Sequence, residues 1–119
     1  MKAKEIVRTK ELEEKLFALS ALIFDETRAR MTTEWTPHVG TLSDAQKACI
    51  DQSSKVVVTI KKCYALVDVG DSGRYMVDAD GNIFGIKGYG TIHRGHQYGT
   101  LDTINAWYWG NYKAHRKDA

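Results

Sequence analysis

The sequence predicts an α+β domain in which a long N-terminal helix and a second, shorter helix pack on a small antiparallel β-meander. Three observations carry this. Leu12, Leu16, Leu19 and Ile23 recur at helical spacing. Ser43-Asp44-Ala45-Gln46 matches a capping box. Tyr75-Met76-Val77 and Ile83-Phe84-Gly85-Ile86 flank Asp80-Gly81, a hairpin signal. At 119 residues and 43% apolar content the chain makes one domain whose core needs no disulfide or metal staple. Its parts read as 1–53 mainly helical, 55–99 mainly β, and 100–119 a short helix and basic tail.

The first helix is expected from about Lys4 to Met31. Phe17 and Phe24 widen its apolar stripe, and Glu11–Lys15 and Glu26–Arg30 support an exposed face at i, i+4. Thr32 to Gly40 holds the only proline, Pro37, and reads as a connection, with Trp35 as a lid on the core. In the capping box, serine and glutamine satisfy one another's orphan amides, so a helix starts near Asp44. Helical spacing continues through Ala45, Cys49, Gln52, Val56, Ile60, Cys63 and Val67, but Val56 to Ile60 is β-branched without a gap, which favours strand. A helix to about Ser53 followed by strands is the preferred reading, and a continued helix is the alternative.

Tyr64 to Val69 supplies a strand that turns at Gly70-Asp71-Ser72-Gly73. With Asp80-Gly81 as turn centre, Val77 pairs Phe84 and Tyr75 pairs Ile86, all four on one buried face. Glycine then recurs at 85, 88, 90, 95 and 99. Thr100 caps a short helix through Leu101, Ile104 and Trp107 that Gly110 stops.

Composition excludes several functional classes. The apolar run Leu16 to Phe24 follows acidic residues rather than a basic leader, and it is about half the ~20 residues of a membrane span. A cytoplasmic protein with no membrane partner is therefore expected. Cys49 and Cys63 read as buried reduced thiols. Asp78 to Asn82 opens like a calcium loop, but Ile83 and Tyr89 stand where glycine and a bidentate glutamate belong. Gly85 to Gly90 lacks the P-loop lysine–serine/threonine ending. His93 and His96 are two zinc donors short of a site, with His115, Cys63 and Cys49 at no recognisable ligand spacing. No metal and no cofactor are expected. The histidine pair with Asp102 as orienting carboxylate would suit acid–base work, but no nucleophile motif accompanies it, so catalysis is disfavoured.

Charge is sided. The chain is +2 overall, yet Lys87, Arg94, Lys113, Arg116 and Lys117 face one acid, Asp102, so 87–117 is net +4 and the remainder net −2. Half of the twelve aromatics lie there too: Tyr89, Tyr98, Trp107, Tyr108, Trp109 and Tyr112. Cations among flat rings suit phosphate neutralisation with base stacking; the alternative is that the tryptophans pack back on the sheet and the tail is merely solvated.

The pattern Gly70-x-Ser72-Gly73-x-Tyr75-Met76-Val77, then Gly81-x-Ile83-Phe84-Gly85-Ile86-Lys87-Gly88-Tyr89-Gly90, resembles a family of short uncharacterised proteins of bacteria, phages and other mobile elements. His93 to Thr103 extends the likeness. The resemblance carries no activity and no catalytic residue; it implies a setting in which small binders and inhibitors of host defence proteins are common.

The sequence reading is thus a non-catalytic module that binds nucleic acid or a nucleoprotein through Lys87, Tyr89, His93, Arg94, His96, Tyr98, Trp107, Trp109, Tyr112, Lys113 and Arg116. The alternatives are a phage or mobile-element inhibitor that binds a host protein directly, and a small enzyme built on His93 and His96.

Overall fold

Residues 4–9 lead into the first helix, and Ile6 ties them to the body by donating its N–H to the Lys62 carbonyl at 2.7 Å. The computed structural model describes residues 4–39, 42–70, 72–109 and 114–117, with the side chains of 35–39 outside that description. Thr9 caps helix α1 (Lys10–Val39): its Oγ1 accepts from Leu12 N–H at 3.1 Å. The helix therefore begins later than its charge pattern suggests. It also ends later, running through the segment read as a connection. An Arg30–Glu34 ion pair at 3.1 Å and a Thr33 hydroxyl bonded to the Ala29 carbonyl hold that extension. Pro37 lies in the last turn, with only two helical residues after it. The expected Trp35 lid falls outside the described side chains.

Leu16, Leu19 and Ile23 are buried as their spacing requires. Phe17 is not part of that stripe and stands 73% exposed, because one residue from Leu16 is a 100° rotation around the helix axis. Helix α2 (Asp44–Ser54) starts with the complete capping box: Ser43 Oγ accepts from Gln46 N–H at 3.1 Å, and Gln46 Oε1 accepts from Ser43 N–H at 2.8 Å. It ends where the β-branched run begins. Lys55 turns to extended geometry, and the strand reading wins over helix continuation. Cys49 on α2 is exposed and Cys63 half-buried, so neither is the fully buried thiol expected; Ile50 and Ser54, not Cys49, are the buried residues of that helix.

Five antiparallel strands follow in sequential order: β1 (Val56–Ile60), β2 (Tyr64–Val69), β3 (Ser72–Asp78), β4 (Asn82–Gly88) and β5 (Thr91–Thr100). The β3–β4 hairpin exists, but its register is one residue from that expected. Met76 faces Phe84 and Val77 faces Ile83. The reason is a three-residue loop: Gly81 takes φ +84° and donates to the Asp78 carbonyl at 3.1 Å, so it follows the turn rather than centring it. Asp78 Oδ1 also accepts from the N–H groups of Asp80 and Asn82 at 3.0 and 2.9 Å. One residue of slip exchanges faces. Tyr75, Val77 and Ile83 join the α1-side core with Ala65 and Val67, whereas Phe84 is turned to the other side.

After β5 the expected short helix is a single 3₁₀ turn, Ile104–Ala106, and Thr100 ends the strand instead of capping a helix. The tail then pairs with itself: β6 (Trp107–Tyr108) lies against β7 (His115–Arg116), opposite in direction. Gly99, at φ +71°, allows this return, since a Cβ there would sit 2.6 Å from Trp107 Nε1. No helix among the described residues is long and apolar enough to cross a membrane.

Candidate binding surface

Register places Thr59, Leu66, Met76, Phe84 and Gln97 in one row across the five strands, on the face away from α1. Leu66, Met76 and Phe84 are nonetheless buried and lie outside the main core cluster. What covers Phe84 comes from the sheet itself. Along β4–β5, Phe84 is opposite Gln97 but Gly85 is already opposite His93, so 94–96 form an insertion in β5. Arg94 folds back from it, its guanidinium carbon 5.8 Å from the Phe84 ring centroid and 6.0 Å from that of Tyr64. Its Nη2 donates to the Tyr64 hydroxyl.

Tyr89 lies between β4 and β5, at the tip of their hairpin. Its hydroxyl donates to Asp68 Oδ2 at 3.2 Å, and the Asp68 charge pushes the pKa of that hydroxyl up. The ring lies against Gly73, where a Cβ would fall 2.9 Å from Tyr89 Cδ2. Arg94 thus covers Phe84 while its charged end stays at the surface, and Tyr89 is anchored at Gly73 and Asp68.

The predicted site residues separate. Lys87, Tyr89, Arg94 and Arg116 are exposed, and His93 and His96 are half-buried. Trp109 is fully buried and Tyr98 nearly so, with Trp107 packed against the same core. Trp109 and Tyr98 are corrected from base-stacking candidates to core residues, and Trp107 is half-buried beside them. Trp109 meets Tyr75 edge-on at 5.3 Å, and its indole N–H donates to the Ile104 carbonyl at 2.8 Å; Tyr98 meets Tyr75 at 5.8 Å and Trp107 at 5.8 Å. Burial pushes the hydroxyls of Tyr75 and Tyr98 up, so both stay protonated. Tyr112 and Lys113 lie outside the described residues.

The linear basic–aromatic segment is therefore not one surface. Arg94 lies over Phe84 and Tyr64, whereas Lys117 lies 5.2 Å from the Tyr108 ring and bears on Glu26 of α1. The Arg94 side is of mixed sign, since Asp78 and Asp80 line the same small cleft as Arg94 and Tyr64. His93 and His96 stack with centroids 3.9 Å apart. Asp102, the expected orienting carboxylate, pairs with Lys15 at 2.9 Å instead. Among the described residues no three His, Cys, Asp or Glu side chains converge.

Sequence reasoning missed Tyr64 and Asp68, which position Arg94 and Tyr89. They lie 30 and 21 residues away in the chain, and no local pattern links them. Comparison with protein-family models, curated proteins and solved structures yields no match.

Proposed function

We propose that the chain is a binding module that docks a protein partner on the face formed by Tyr64, Tyr89 and Arg94. The observation that carries this is the arrangement of Arg94, held over two aromatic rings and bonded to a tyrosine hydroxyl before any partner arrives. Arginine and tyrosine dominate interface hot spots, and a side chain already ordered loses less entropy on binding. The nucleic-acid reading is weaker because its principal rings are in the core and the charges around Arg94 are mixed. In the phage and mobile-element setting that the resemblance implies, the partner is a host protein and the effect inhibition by occupancy.

The test is capture from a bacterial lysate on the immobilised chain, with and without nuclease, followed by reconstitution with the purified partner. A partner retained after nuclease, and bound at least tenfold more weakly by Arg94→Ala and Tyr89→Ala, supports the proposal. Loss of every partner on nuclease treatment returns the reading to nucleic acid.

A further inference from the structure

The sheet ends in two unlike strands, β1 and β5. Along β5 the insertion at 94–96 and further register shifts break the pairing with β4. Inside the sheet the β2–β3 pairing is bulged as well, with Arg74 as the extra residue, beside Thr27 and Met31 of α1. In contrast, β1 pairs with β2 from Val56↔Val69 to Ile60↔Ala65 without a shift. We infer that the outer edge of β1 is a docking site for an extended segment of a partner protein that carries acidic residues six positions apart.

The hydrogen-bond pattern carries this. Lys61 donates its N–H to the Tyr64 carbonyl at 2.8 Å, and Gly70 donates to the Lys55 carbonyl at 2.7 Å. Along an antiparallel pair, successive residues turn their main-chain groups alternately toward the neighbour and away. Residues 55, 57, 59 and 61 therefore face β2, and Val56, Val58 and Ile60 turn their main-chain groups outward. Among the described residues, nothing bonds to those outward groups. The strand between Lys55 and Lys61 also holds no proline, glycine or charge, the residues that commonly blunt an edge. Val57 is 44% exposed, and Val56, Val58 and Ile60 are only half-buried against the core. An added strand would gain main-chain hydrogen bonds and extend the apolar cover on the α1 side.

Charge selects the occupant. A second copy paired antiparallel about Val58 would place Lys55 opposite the other copy's Lys61, and like charges directly opposite destabilise a pair. A segment with a carboxylate opposite each of these exposed lysines meets opposite charge at both ends of β1. The chain's own lead-in run does this on a small scale. Ile6 N–H bonds to the Lys62 carbonyl at 2.7 Å, and the neighbouring Glu5 pairs with the Lys62 side chain at 3.1 Å. Extended, acidic chain thus already reaches this end of the strand.

The test titrates the intact chain with the end-blocked heptapeptide Glu-Val-Thr-Val-Thr-Val-Glu, read by amide chemical shifts and hydrogen exchange. Paired antiparallel, its valines face Val56, Val58 and Ile60, and its glutamates face Lys55 and Lys61. One peptide per chain is expected, with slowed exchange at the N–H groups of Val56, Val58 and Ile60. N-methylation of the valines removes the donors aimed at β1 and is expected to weaken binding at least tenfold. N-methylation of the threonines, whose N–H groups point away, is expected to leave it within a few-fold. Replacing both glutamates by lysine is expected to weaken binding at least tenfold on the parent chain and less on the exposed-site variant Lys61→Glu. The inference is overturned by no saturable shift up to roughly 5 mM peptide, which already reaches past millimolar affinity. Equal losses from the two methylated peptides, or equal binding of the lysine peptide, overturn it as well. A concentration-dependent dimer protected at the same three amides without peptide assigns the edge to a second copy instead. Failure here leaves the docking proposal at Arg94 and Tyr89 standing, because neither is altered and the readout is confined to β1.

Discussion

The two faces of the sheet bury apolar side chains by different means. On one, Tyr75, Val77 and Ile83 meet Leu16, Leu19 and Ile23 of a separate helix, and Trp109 returns from the C-terminal ribbon to fill the space. On the other, Arg94 lies over the Phe84 ring, and Tyr89 packs at Gly73 with its hydroxyl on Asp68. The first arrangement is a closed core. The second has an exposed charged side chain lying over a buried ring, a contact that water reaches from outside. The difference teaches that burial alone does not separate core from interface; what lies over the buried atoms does.

The comparison is sharpened first by its largest effect. Trp109→Ala should cost ~3–5 kcal/mol in urea unfolding, the range for a buried aromatic whose cavity cannot collapse. Phe84→Ala should cost less, about 3 kcal/mol, because Arg94 can settle into the vacated space. If Phe84→Ala proves the more damaging of the two, the second face is as rigid a core as the first.

Arg94→Ala should lower stability by about 1 kcal/mol, from lost cation–π contact at a partly exposed site, and should make the Phe84 ring more accessible to solvent quenchers. A loss of several kcal/mol would mean that Arg94 is structural, and its role as a docking residue would fall. Tyr89→Phe, which removes only an exposed hydroxyl bond, should leave the unfolding midpoint within the scatter of surface substitutions.

The smallest effect is electrostatic and belongs to the closed face. Glu26 Oε1 accepts from Trp109 N–H at 2.8 Å, and burial raises its pKa above the ordinary 4.5, opposed by that hydrogen bond and by the Lys117 charge. The folded state then holds the proton more tightly than the unfolded chain. Stability contributed by this group should fall as pH rises from 4.5 through the folded value, then level off. Glu26→Gln should flatten that interval in a pH series of melts while keeping the Trp109 bond, since the amide oxygen also accepts. An unchanged slope would show that other groups set it.

Much of the fold is legible from local chemistry. The leucine stripe of α1, the Ser43–Gln46 box and the strand character of Val56 to Ile60 all follow from near neighbours, and each element forms, although α1 runs Lys10–Val39 rather than Lys4 to Met31. Legibility fails where one residue changes the answer. Asp80-Gly81 announces a hairpin, but either of two loop lengths fits it, and the choice decides whether Phe84 faces the helix or away. The candidate surface was legible only in part. Arg94 and Tyr89 stand out in a basic, aromatic segment, but so do Trp109 and Tyr98, and composition cannot distinguish a ring that stacks on a partner from one that packs on Tyr75.

The sequence by itself determined the two helices, the antiparallel meander and the α+β class, though not the C-terminal ribbon, because capping, β-branching, turn residues and apolar periodicity act over a few residues. Only the tertiary structure decided which aromatics are core, which charges share a face, and that the bulges at Arg74 and at 94–96 turn arginines to opposite sides of one sheet. Those outcomes depend on strand register and on contacts across 20 to 80 residues of chain, and no local pattern encodes such pairings.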